Sequence, residues 1–127
     1  MSRLLLSLLT CCVAIAATAA PLSPGARTEI DGLLVRLAAS GCEFNRNGTW
    51  YTAAEAKSHL LQKLKYFEDQ GKVETTEQFI ELAASGSSMS GQPYLVRCGN
   101  SVPVESGQWL RSELKDLRSA TRAKGTP

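Results

Sequence analysis

Apolar residues recur along this chain in two rhythms, and the changes of rhythm divide it into elements. Ile30, Leu33, Leu34 and Leu37 fall at helical spacing. Ser23 ahead of Pro24 supplies a side-chain cap with proline at the first helical position, and Gly41 after Ser40 ends the helix. Cys42 to Asn45 and Thr49 to Thr52 then alternate around Arg46-Asn47-Gly48, and Asn-Gly is favoured in tight hairpin turns, so a short β-hairpin is predicted. Thr52 with Glu55 three residues on makes a capping box that opens a second helix, with Ala56, Leu60, Leu64 and Phe67 as its buried stripe. Thr75 with Gln78 repeats that spacing and opens a third helix carrying Phe79, Ile80, Leu82 and Ala83, closed by Gly86.

The segment Tyr94 to Cys98 is β-branched and aromatic and reads as a strand. Its period of two puts Tyr94, Val96 and Cys98 on one face, as it does Cys42 and Phe44 in the first strand. Gly99 to Gly107 reads as a loop. Leu110, Leu114 and Leu117 mark a fourth helix with Trp109 at its start, and Ala120 to Pro127 are expected to fray. The fold class is therefore α+β, with about four helices packed on a small antiparallel sheet of about three short strands.

The first residues do not belong to this pattern. Arg3 precedes an apolar run from Leu4 to Ala17 broken only by Ser7 and Thr10, which passes into small residues with Ala17 and Ala19 as an A-x-A pair. That is the order of a cleavable signal peptide, expected to span residues 1 to 19, with cleavage after Ala20 as the other choice. The run is shorter than the roughly 20 apolar residues a membrane span needs, so the product is expected to be periplasmic or secreted without stable membrane insertion. Removing 19 of the 127 residues leaves 108, the size of one domain over 20–127.

Without Arg3 there are 13 basic against 12 acidic residues, a balance that offers nucleic acid no field to follow. Basic residues gather only at the C-terminus, in Arg111, Lys115, Arg118, Arg122 and Lys124, as a solvated helix face would place them. Cys11 and Cys12 leave with the leader, so Cys42 and Cys98 remain, and where thiols oxidise two cysteines pair. They enclose 57 residues counting both ends, a loop whose closure contributes about 4 kcal/mol in the chain-entropy account. The sequence has neither a C-x-x-C pair nor the further Cys and His ligands that a metal would want, and no cofactor is expected.

No stretch spells out a catalytic constellation. His59 is the single histidine, on the border of the second helix's apolar stripe and flanked one turn either side by Glu55 and Lys63. It is read as a boundary residue bonded to a carboxylate or carbonyl, or else as a base for a serine of the loop Ser87, Ser88 and Ser90, which lacks the G-x-S-x-G elbow. Arg46 beside Asn47 could present its guanidinium to an anion, stand in solvent or pair with a nearby acid. The serine loop could form an anion-binding nest or be a polar link. Trp50, Tyr51 and Tyr94 are read as packing.

Four motifs in order, Phe44-x-Arg46-Asn47-Gly48, Glu55-Ala56-x-x-His59-Leu60-x-x-Lys63, Thr76-Glu77-Gln78-Phe79-Ile80 and Ser87-Ser88-x-Ser90-Gly91-x-Pro93-Tyr94, resemble the YfeK-like proteins. These are small exported bacterial proteins catalogued as a domain of unknown function. The resemblance spans the mature chain and implies a Gram-negative envelope location and a single domain, but no activity. The cysteine pair is not part of its pattern. The expected function is a non-enzymatic module of the envelope that binds a protein or small anionic partner through Arg46, Asn47, His59, Lys63 and the serine loop. The alternatives are a small serine-type hydrolase using His59 and a purely structural or stress-related envelope protein.

Overall fold

The computed structural model describes residues 10–14 and 21–125. The expected leader and its cleavage point fall outside them except for Thr10 to Ala14, in which Cys11 and Cys12 are free and exposed. Among the described residues no helix is long and apolar enough to cross a membrane.

Helix α1 (Pro24–Ala39) starts where Ser23 Oγ accepts the Ala26 amide at 3.1 Å, and it buries Ile30, Leu33, Leu34 and Leu37. Strands β1 (Glu43–Arg46) and β2 (Thr49–Tyr51) form the hairpin, its turn built on Asn47 at φ 51° and Gly48 at φ 87°. Two successive positive φ angles are what a type I′ turn requires, and Asn-Gly adopts them at little cost. Helix α2 (Ala53–Asp69) opens on both bonds of the Thr52–Glu55 capping box and buries the expected stripe, with Ala53 added. Helix α3 (Thr76–Phe79) opens on the second capping box, between Thr75 and Gln78, and runs directly into a π-helical turn, Ile80–Ala84. Phe79, Ile80, Ala83 and Ala84 are buried there, whereas Leu82, expected in the core, is 37% exposed. At about 100° per residue it points away from the arc those four share.

Strand β3 (Leu95–Arg97) pairs antiparallel with β1 in the register Phe44↔Val96 and Glu43↔Arg97. One step further along, that register places Cys42 opposite Cys98, and the two are joined in a disulfide with Cα atoms 4.3 Å apart. The strand-phase expectation for these cysteines thus holds. A fourth strand, β4 (Val104–Glu105), lies in the segment expected to be loop and completes the order β2-β1-β3-β4. Two residues carry too short an alternation to read. Helix α4 (Ser106–Gly125) begins earlier and ends later than expected, so Ala120 to Gly125 are helical rather than frayed.

Helices α1, α2 and α4 and the α3–π segment pack around Phe79, Leu33, Leu37 and Leu110, all fully buried. An ion network fastens three of them. Arg118 of α4 reaches Glu29 of α1 at 2.7 and 3.0 Å and Glu77 of α3 at 2.6 Å, while buried Thr76 donates to Glu29 at 2.7 Å. These bonds, Arg118's first, hold the Glu29 carboxyl below its usual range against the opposing effect of burial. Arg118 therefore bridges elements rather than merely facing solvent.

Candidate functional site

The two sequence rhythms converge on one place. Along the sheet, alternation puts Arg46 on the same face as buried Phe44, whose cross-strand partners are Tyr51 and Val96; Tyr94, two residues before Val96, follows on that face. Along α2, Glu55, His59 and Lys63 repeat every four residues and form one flank. That flank closes over the sheet face.

An Arg46 Nη1 lies 2.7 Å from His59 Nδ1 and its Nη2 donates to the Tyr51 hydroxyl at 3.3 Å, with the guanidinium 4.9 Å from the Tyr51 ring centroid. The same Nη1 is 3.3 Å from Nε2; because a guanidinium can only donate, the shorter contact makes His59 Nδ1 the acceptor and puts the ring proton on Nε2. That Nε2–H then donates to the Tyr94 hydroxyl at 3.2 Å. Lys63 Nζ donates to the same hydroxyl at 3.0 Å and to the Gly86 carbonyl at 2.8 Å. The Tyr94 oxygen thus receives two bonds, and its own proton has no acceptor among the described residues.

The electrostatics follow from this crowding. Burial, then Arg46, then Lys63 lower the His59 pKa to about 4, so the ring is neutral at pH 7. Burial and Arg46 lower that of Lys63, and burial raises that of the Tyr94 hydroxyl. Arg27, Arg36, Arg97 and Arg118 each meet a glutamate. Arg46 and Lys63 meet none among the described residues; their partners are a histidine, two tyrosines and a carbonyl. A half-buried cation without a counter-charge is costly, and an incoming anion relieves that cost.

Beside the cluster is a cavity of about 370 Å³. Arg46, His59 and Tyr94 line its polar end and Phe44, Ala56 and Leu60 its apolar wall, while Glu55 adds a carboxylate that accepts the Thr52 amide at 3.0 Å. A larger and more open hollow of about 790 Å³ lies at the Glu29–Arg118–Glu77 network. Its opposite charges already satisfy each other, so the smaller cavity is the better candidate. Among the described residues no three His, Cys, Asp or Glu side chains gather as a metal would need.

Of the residues singled out from sequence, Arg46, His59 and Lys63 come together. Asn47 and the serine loop form a neighbouring group: Ser90 Oγ donates to Asn47 Oδ1 at 2.7 Å and Asn47 Nδ2 to Ser87 Oγ at 3.4 Å, while Ser88 is exposed. The amides of Ser87, Ser90, Gly91 and Gln92 all have acceptors inside that loop, so those four are not available to an anion. Among the described residues no serine bonds His59. Tyr51 and Tyr94, read as packing, are members of the cluster. A tyrosine in place of phenylalanine at an inward-facing position is the available signal, because a buried hydroxyl requires a partner.

A family model described as a family of unknown function, DUF5329, matches residues 24–118. The chain is also similar to the uncharacterized protein YfeK of Salmonella typhimurium (strain LT2), 45% identical over 51 residues, which is 40% of this chain and 41% of that protein. No solved structure matches.

Proposed function

We propose that this chain, which belongs to the family of unknown function DUF5329, is an exported envelope protein that binds a small anion non-enzymatically between its sheet and α2. One observation carries the reading: Arg46 and Lys63 converge on neutral acceptors, with no carboxylate among the described residues bonded to either. A guanidinium fork suits a carboxylate or phosphate, and the adjoining cavity gives that anion a place to sit. Export is supported by the leader-like residues 1 to 19 and by the Cys42–Cys98 bridge, which is at home where thiols oxidise.

Hydrolysis has less in its favour. His59 receives a hydrogen bond from a cation at Nδ1, where a triad histidine donates to a carboxylate, and no serine among the described residues is its partner. The test is thermal unfolding of the mature chain with acetate, succinate and phosphate at constant ionic strength. A bound anion at 100 times its Kd stabilises by about 2.7 kcal/mol. The expected result is a rise in Tm that Arg46→Met removes; equal rises in both proteins would refute the assignment. Fractionation of cells and amino-terminal sequencing of the recovered protein test export.

A further inference from the structure

The polarity of the cavity narrows the ligand beyond its sign, on the assumption that the anion-binding reading holds. Lys63 is engaged by Gly86 and Tyr94 and is not among the cavity-lining residues, so among the described residues Arg46 is the one cation that lines it. Glu55 lines the same space with a carboxylate. In direct contact with a ligand, one cation beside an acid favours a single negative charge, with Lys63 adding its field from behind the Tyr94 hydroxyl.

The hydrogen-bond inventory points the same way. The Tyr94 proton has no acceptor among the described residues, and Arg46 carries five N–H groups, more than its bonds to His59 and Tyr51 use. His59 Nδ1 is occupied by Arg46. The cluster therefore offers donors and asks for acceptors. A planar carboxylate satisfies a guanidinium and a neighbouring hydroxyl together with charge-assisted bonds, whereas the neutral carbonyl of an amide accepts from Arg46 more weakly. The lining continues with Phe44, Ala56 and Leu60, which reward apolar surface, alongside the polar Asn45, Ser58, Gln62 and Ser106. The volume of about 370 Å³ is near the lower limit of small-molecule pockets, roughly 300–1,000 Å³.

We infer that the site takes a monocarboxylate with a compact apolar body, its carboxylate on Arg46 and the Tyr94 hydroxyl and its body against Phe44, Ala56 and Leu60. Free small acids and the carboxy-terminus of a peptide ending in an apolar residue share this chemistry. Phenylacetate represents the first and N-acetylphenylalanine the second.

Calorimetric titration of the full mature chain at fixed ionic strength, with phenylacetate, hexanoate, acetate, phenylacetamide, inorganic phosphate and N-acetylphenylalanine, tests the assignment. Phenylacetate or hexanoate should bind at least tenfold tighter than acetate or phosphate, and phenylacetamide at least tenfold weaker than phenylacetate. Whichever of phenylacetate and N-acetylphenylalanine binds tighter identifies the source. Arg46→Met should abolish binding of the acids, and Ala56→Leu should lower the phenylacetate-to-acetate affinity ratio, a quantity measured within one folded protein. Acetate or phosphate binding as tightly as phenylacetate would overturn the monocarboxylate assignment and leave anion binding standing. Binding of no anion, or equal binding of phenylacetate and its amide, would overturn both.

Discussion

Acidification should remove stability from this fold through His59, and the size of the loss can be worked from the site. In the unfolded chain the imidazole titrates at its ordinary value of 6.5; in the fold, burial, Arg46 and Lys63 bring it to about 4. Between those values the unfolded state holds a proton that the folded state refuses, so stability falls as pH falls through this window. From pH 7.5 to 4.5 the full shift corresponds to about 2.5 kcal/mol, and because the ring is only partly buried, solvent screening reduces this to about 1 kcal/mol. The groups facing His59 are Arg46 from β1, Tyr51 from β2, Glu55 and Lys63 from α2, and Tyr94 ahead of β3. His59→Gln is the control, since its amide can accept from Arg46 and donate to Tyr94 without titrating. Glu55 and Glu29 are common to both proteins and cancel in the difference. Urea unfolding followed by the fluorescence of Trp50 and Trp109 gives the midpoints. With m of roughly 1–3 kcal/mol/M, the wild-type midpoint should fall by on the order of half a molar more than the variant's. Equal falls, or a larger fall in His59→Gln, would refute the burial-and-repulsion account.

Tyr94→Phe removes the oxygen that receives both His59 and Lys63, and leaving those donors unpaired should cost about 1–3 kcal/mol in urea unfolding at pH 7. Replacing Cys42 and Cys98 together by serine opens a loop of sequence separation 56 and should lower stability by about 4 kcal/mol, measured against the oxidised protein in the same denaturant series. Gly86→Ala sets a Cβ 2.9 Å from the Gln92 backbone oxygen, which itself accepts the Ser87 amide and is poorly placed to move. It should destabilise by about 1 kcal/mol or more, whereas Gly25→Ala, with nothing within 4 Å of the new methyl, should leave stability equal or slightly raised.

Most of the scaffold could be read from local chemistry. The caps at Ser23, Thr52 and Thr75 and the Asn47-Gly48 turn are decided by residues within four positions of each other, and each lies where expected. What escaped depends on distant partners. Strand β4 exists because Val104 and Glu105 find the free edge of β3. The π turn at Ile80–Ala84 carries no composition of its own. The same division runs through the site. Arg46, His59 and Lys63 attract notice by residue type, but that His59 faces a cation rather than a carboxylate follows only from strand β1 lying under helix α2. Tyr51 and Tyr94 look like packing until the donors aimed at their hydroxyls are known.

The π-helical turn has a consequence for any comparison of lengths between relatives. Such a turn is an α-helix carrying one surplus residue, so a chain lacking one position in Ile80–Ala84 could wind with ordinary pitch and lose nothing in backbone bonding. Because the wider turn absorbs the surplus residue locally, the segment that follows would keep its facing and the Gly86 carbonyl its place on Lys63. A one-residue gap there, in a relative of the same fold, would therefore be a shortening that leaves the site intact.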